Sequence, residues 1–160
     1  MTDFEVYYYA IPIIITLIIG EFFYSYLNKK DFYKKEDTLA SIGLLAGNVA
    51  VSLLTKGSIL LLYIYFYQFR LVTINDLLPI WAVWALTFVV IDFVYYWYHR
   101  CSHRVRFLWA VHMNHHSSEE MNYVVSLRQA WFGPITKIPF FMFMPLVGFD
   151  PLITLVAGVA

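Results

Sequence analysis

His99-Arg-Cys-Ser-His103 and, eight residues later, His112-Met-Asn-His115-His116 hold all five histidines of the chain. Neutral imidazole is the commonest metal ligand in proteins, and separations of three and four residues put such ligands on one face of a helix. If the segment ahead stays helical past Tyr98, His99 and His103 stand one above the other and can share an ion. His112, His115 and His116 form a tight arc that serves the same ion or reaches toward a second. Five imidazoles exceed the needs of one tetrahedral site, which argues for two metals. A single histidine near a membrane interface reads as a polar rim residue, but five at these spacings read as a metal site. A zinc protease is disfavoured because no glutamate follows His99 to act as general base. Bis-histidine haem is disfavoured too, since its ligands would lie deep in separate spans.

The elements that must position these rings are apolar. With 61% hydrophobic, 20% aromatic and 14% charged residues, 160 residues cannot hide their apolar surface in a globule and need lipid. Val6 to Leu27 is long enough to span and carries only Glu21 as a charge, placed near the head groups. Acidic Asp3 and Glu5 precede it and no small-residue cleavage pattern follows, so it reads as a retained anchor rather than a signal peptide. Lys29, Lys30, Lys34 and Lys35 lie in one connection, and Arg100, Arg104, Arg106, Arg128 and Lys137 lie in and beyond the histidine region. Cytoplasmic loops collect such residues, so both regions belong inside and two spans must separate them. Leu39 to Thr55 and Leu77 to Tyr98 supply them. Between the two, either Lys56-Gly57-Ser58 ends the second span and Ile59 to Phe69 lies in the outer interface, or Leu39 to Tyr67 is one tilted helix with Lys56 snorkelling.

Trp131 to Val147 is interrupted by Gly133, Pro134, Lys137, Pro139 and Pro145, which predicts a kinked or partly inserted helix. Gly148-Phe149-Asp150-Pro151 reads as a turn, and Leu152 to Ala160 begins another apolar helix that is expected to continue in the natural protein. The expectation is an all-α, polytopic membrane helical bundle with a cytoplasmic histidine-rich metal site. Residues 1–160 read as a single membrane-embedded domain, C-terminally incomplete. Asp92 precedes His99 by nearly two turns and can accept a hydrogen bond from an imidazole, as a charge inside a span is a functional candidate. Glu119 and Glu120 follow the second cluster as supporting groups or as a solvated loop. Cys101 lies off the histidine face, and a single cysteine makes no internal disulfide. Tyr95, Tyr96, Trp97 and Tyr98 read as an interfacial aromatic belt.

Asp92-Phe-Val-Tyr-Tyr-Trp-Tyr-His99-Arg-Cys-Ser-His103 followed by His112-Met-Asn-His115-His116-Ser-Ser-Glu119-Glu120 resembles the membrane fatty acid hydroxylase and sterol desaturase superfamily. Within it, His115 to Asn122 and then Ser126-Leu127-Arg128-Gln129 are most similar to the alkylglycerol monooxygenases and bacterial sterol-desaturase-like relatives. The resemblance covers about Thr38 to Ala160 and is best from Asp92 to Gln129. One departure is Arg104, directly after the first histidine pair, where the animal ether-cleaving enzymes carry glutamate.

The resemblance implies a non-haem centre of two iron ions, ligated by histidines from three boxes on the cytoplasmic side, that activates O2 against a C–H bond of a membrane lipid. His99 and His103 match the first box and His112, His115 and His116 the second, while the third is absent, so this segment alone is expected to be inactive. Asn122, Arg128 and Gln129 gain interest from the same likeness, as supporting or substrate-contacting residues. Hydroxylation, desaturation and ether cleavage are all compatible with it. Electrons must come from outside, since no Gly-x-Gly-x-x-Gly fingerprint is present. The ether-cleaving likeness suggests tetrahydrobiopterin; other relatives look to an electron-donor protein. The expected partners are a membrane lipid, O2 and that donor, with no nucleic acid, in the bacterial inner membrane or the endoplasmic reticulum. A non-catalytic histidine-rich metal-binding membrane protein and a zinc-dependent lipid hydrolase are the alternatives.

Overall fold

Long apolar runs without internal breakers form long helices, and runs punctuated by proline and glycine form short ones. The computed structural model describes residues 3–158, and every regular element among them is a helix. Helices α1 (Asp3–Leu27), α2 (Lys35–Tyr67) and α4 (Ile80–Ser102) are the long members. Between the last two sits the single turn α3 (Ile74–Leu77), and α5 (Arg106–His112) and α6 (Tyr123–Ser126) follow. The chain then makes three short helices in succession, α7 (Gly133–Phe141), α8 (Phe143–Val147) and α9 (Pro151–Ala157).

The 33 residues of α2 run unbroken through Lys56, Gly57 and Ser58, which decides for one long helix over a span that ends there. At 1.5 Å per residue α2 is about 50 Å long, more than the ~30 Å of a hydrocarbon core, so it tilts or extends beyond it. Only 6% of its most apolar window and 17% of that of α4 are buried against protein. Both helices are long and apolar enough to cross a membrane, and that outward apolar surface needs lipid as its solvent. The predicted first span falls within α1, where the described apolar stretch is Ile11–Leu27; the side chains of residues 1–7 and 10 lie outside the described set.

The core sits between α2, α4 and the α7–α9 succession, where Tyr63, Val83, Val94, Phe141, Met144 and Phe149 pack together. The predicted break in Trp131 to Val147 occurs at Met142, between α7 and α8. Gly148 then turns the chain at φ 125°, a left-handed conformation that favours glycine, with the Val72 carbonyl packed where a Cβ would stand. Asp150 starts α9 as its cap, its Oδ1 accepting from the amides of Leu152 (2.9 Å) and Ile153 (3.0 Å). Two long-range contacts lock the segment leading into α7 onto α2: Asn48 donates to the Ala130 carbonyl (2.7 Å), and the Trp131 indole lies directly on Gly47. The Tyr98 hydroxyl meets Thr136 Oγ1 at 3.0 Å and ties α4 to α7 at the residue before His99.

Candidate metal centre

Helix α4 carries His99 in its last turn, and His103 is its C-terminal cap, with its amide bonded to the His99 carbonyl (3.2 Å). The helix therefore does persist past Tyr98, and the two rings share a face. After a two-residue connection α5 brings His112 as its last residue, and a run of turns holds His115 and His116. Backbone bonds from His115 to His112 (2.9 Å) and from His116 to Met113 (3.0 Å) curl that run back over α5.

The curl folds the second segment onto the first. Ring centroids of His112 lie 4.7 Å from His99 and 4.9 Å from His103, and His116 lies 4.9 Å from His103. Within each segment the Nε2 atoms approach to 3.2 Å (His99 and His103) and 3.1 Å (His112 and His116). One ring nitrogen from each of the four falls within 4.8 Å of every other. Four imidazole nitrogen donors at that separation fit a single transition-metal ion.

Electrostatics favours the ligating form. Burial first, and then the imidazoles of His99, His116, His103 and His115, push His112 down to about 4. His116 is lowered by burial and by the same crowding. Both rings are neutral at pH 7 with a lone pair free for a metal. No carboxylate belongs to the group of four among the described residues.

His115 is placed differently. Its Nδ1 lies 2.9 Å from the Arg128 carbonyl, and its ring stands 5.1 Å from that of His116, beside the group of four rather than in it. The supporting residues singled out in the sequence also separate. Asp92 is exposed on α4, and Gln129 is exposed, with no bond from either to an imidazole among the described residues. Glu119 and Glu120 pair with Lys34 at 3.6 and 3.1 Å, and Asn122 donates to the Phe32 carbonyl (2.7 Å). Arg128 is buried against Asp37, Ser41 and Ser117. These groups bind the α1–α2 connection and the start of α2, not the rings. Glu21 does the same from α1, accepting from the Tyr33 hydroxyl (2.6 Å) and the Tyr123 amide (2.8 Å).

Trp109 lies outside both histidine motifs. It packs 5.4 Å from His103 and stacks at 6.0 Å on His116, walling one side of the cluster. Its position three residues before His112, on the same face of α5, was the available signal. Tyr95 covers His99 from below at 6.0 Å.

Residues 84–160, which include both histidine segments, match the family model described as fatty acid hydroxylase. Human alkylglycerol monooxygenase is 35% identical over 144 residues, which is 89% of this chain and 32% of the human protein. By the family-model match, residues 84–160 of the chain belong to the fatty acid hydroxylase family. The alkylglycerol monooxygenase of Xenopus tropicalis is 46% identical over 70 residues, covering 43% of this chain and 15% of that protein. That of Danio rerio is 49% identical over 47 residues, covering 29% and 10%. The chain thus spans about a third or less of the length of these curated relatives. No solved structure matches it. Membership agrees with two apolar, span-length helices in a family of membrane proteins.

Proposed function

We propose that this chain forms the oxygen-activating part of a membrane lipid monooxygenase, with its imidazoles on the cytoplasmic face. The observation that carries the reading is the convergence of His99, His103, His112 and His116, from two segments, at one end of a span-length helix. Likeness to proteins named alkylglycerol monooxygenase supports a lipid substrate and O2 as co-substrate.

The four clustered rings would hold one iron, and His115 with partners from the rest of the polypeptide would serve a second. When bound, such a pair would supply the redox chemistry with O2 that zinc lacks, the chemistry by which a lipid C–H becomes C–OH while two external electrons and two protons take the second oxygen atom to water. If that carbon adjoins an ether oxygen, the product collapses to aldehyde and alcohol; removal of a second hydrogen gives a double bond. Electrons come from an external donor, a pterin or a redox protein.

The chain's own residues bind and exclude. Neutral imidazoles keep the ion's charge uncompensated, since no carboxylate joins the group. Trp109 and Tyr95 shield the rings from water on two sides. The aromatic, apolar face of α4 below His99, with Trp81 and Phe88 exposed, is the surface along which a lipid chain would reach His99 from the membrane.

The test is metal analysis and oxygen-dependent turnover of the full-length protein purified in detergent. About two iron ions per polypeptide, and loss of a lipid with matching O2 uptake, are the expected results. Iron binding without turnover would leave a carrier or sensor. Turnover that persists without O2 and reductant would instead make the protein a hydrolase.

A further inference from the structure

Arg128 is 3% exposed, and a guanidinium so thoroughly desolvated is tolerated only where its donors are satisfied. Its Nε donates to Ser41 Oγ (3.1 Å), and Nη2 donates to Ser41 Oγ (3.0 Å), the Asp37 carbonyl (3.0 Å) and Asp37 Oδ1 (2.5 Å). Nη1 donates to Ser117 Oγ at 2.7 Å. The other Asp37 oxygen accepts from Ser118 Oγ at 2.6 Å. Arg128 thus joins the first two turns of α2 to Ser117, and Asp37 extends the link to Ser118.

The backbone of the same residue faces the histidines. The Arg128 carbonyl lies 2.9 Å from His115 Nδ1, and a carbonyl oxygen can only accept. Nδ1 therefore carries the proton and Nε2 keeps the lone pair. We propose that Arg128, clamped by Asp37 and Ser41, is a positioning residue for His115: the buried side chain fixes the carbonyl, and the carbonyl sets the imidazole tautomer and ring direction. This inference rests on reading the imidazoles as metal ligands. Neither Asp37 nor Ser41 shows a metal-site pattern in the sequence, because they lie 91 and 87 residues from Arg128. The same contact makes the histidine site depend on α2, to which no histidine belongs.

The test uses the full-length chain in detergent with two readouts. With 15N-labelled histidine and no metal, long-range proton–nitrogen correlation reports each tautomer, and His115→Gln identifies the His115 signal. Wild type is expected to show His115 protonated at Nδ1, and Arg128→Ala to lose that state. Titration with cobalt(II) is expected to show affinity about 10- to 100-fold weaker in Arg128→Ala, the range typical of groups that orient a ligand. Arg128→Lys, which cannot reproduce the fork of contacts, falls between the two. Asn122→Ala removes a bond to the Phe32 carbonyl and the cap of α6 in the same segment. It is expected to lower thermal stability while leaving tautomer and cobalt affinity alone, which separates positioning from simple loosening. If Arg128→Ala does not fold, Asp37→Asn and Ser41→Ala each remove part of the clamp and are read the same way. A wild-type His115 protonated at Nε2, or an Arg128→Ala protein with Nδ1 still protonated and cobalt affinity within about twofold of wild type, overturns the proposal. A wild type that shows the Nδ1 tautomer but binds no cobalt overturns the metal reading, while the tautomer of the Arg128 variants still decides the clamp.

Discussion

The two histidine segments reach the same cluster by different physical means. His99 and His103 are placed by α4 alone, since one turn of hydrogen-bonded helix fixes both rings once the helix extends past Tyr98. His112, His115 and His116 stand at the end of a seven-residue helix and in a run of turns. Alone, so short a helix is marginal, and its direction depends on what the rest of the chain provides. The structure provides a strap: Glu120, Ser118 and Arg128 are bound to the α1–α2 connection and to α2 through Lys34, Asp37 and Ser41. Local order places the first pair and long-range polar contacts place the second, so the two should fail differently.

That contrast can be broken first at the rings themselves. His99→Ala removes a ligand carried on rigid helix, and metal affinity is expected to fall by more than the ~100-fold that marks the upper range for merely supporting groups. Thermal stability without metal should hardly change, and metal content measured beside a melting curve checks both. A still firmly bound metal would show that the cluster has no need of α4.

A second variant loads the packing and spares the rings. Gly47→Val sets a branched side chain where the Trp131 indole rests, and the α2–α7 contact must open. A loss of about 1–3 kcal/mol is expected, as for other overpacked sites, with cobalt affinity unchanged. A matching loss of affinity would mean that the strap transmits packing from far along α2 and would blur the distinction between the segments.

Acidity sharpens the same point. His112 is held near 4, by burial foremost and by its neighbouring imidazoles, whereas an unfolded histidine titrates near 6.5. Between those values the unfolded chain binds the extra proton, so the metal-free fold should lose stability as pH falls from about 6.5 toward 4 and be insensitive above that window. Melting curves from pH 8 to pH 4, with His112→Gln as reference, test it; the variant should show a shallower slope, with the share of His116 remaining. The smallest effect expected is at Asp150, whose cap on α9 lies in the core end of the molecule. Asp150→Ala should cost about 1 kcal/mol and leave the histidines untouched.

The histidine motif itself was legible because its spacing repeats the helix period, and the apolar runs were legible because they are long. Proline and glycine marked the break in Trp131 to Val147 and the turn before α9 for the same local reason. Less visible was the continuity of α2, since a lysine and a glycine in mid-run are consistent with either an end or a passage. Glu119 drew attention by following the histidines along the chain, and Asn122 and Arg128 through the family likeness, yet their partners lie in the α1–α2 connection and the start of α2.

By itself, then, the sequence determined which side chains can hold a metal, that helices carry them, and that those helices are apolar enough to cross a membrane. Each of these follows from residue type or from neighbours within a turn or two. Tertiary structure alone decided that four rings converge while His115 turns to the Arg128 carbonyl, and that an aspartate and a serine of α2 secure that carbonyl. Hydrogen bonds across some ninety residues have no period to read; they exist only once packing has brought their donors and acceptors together.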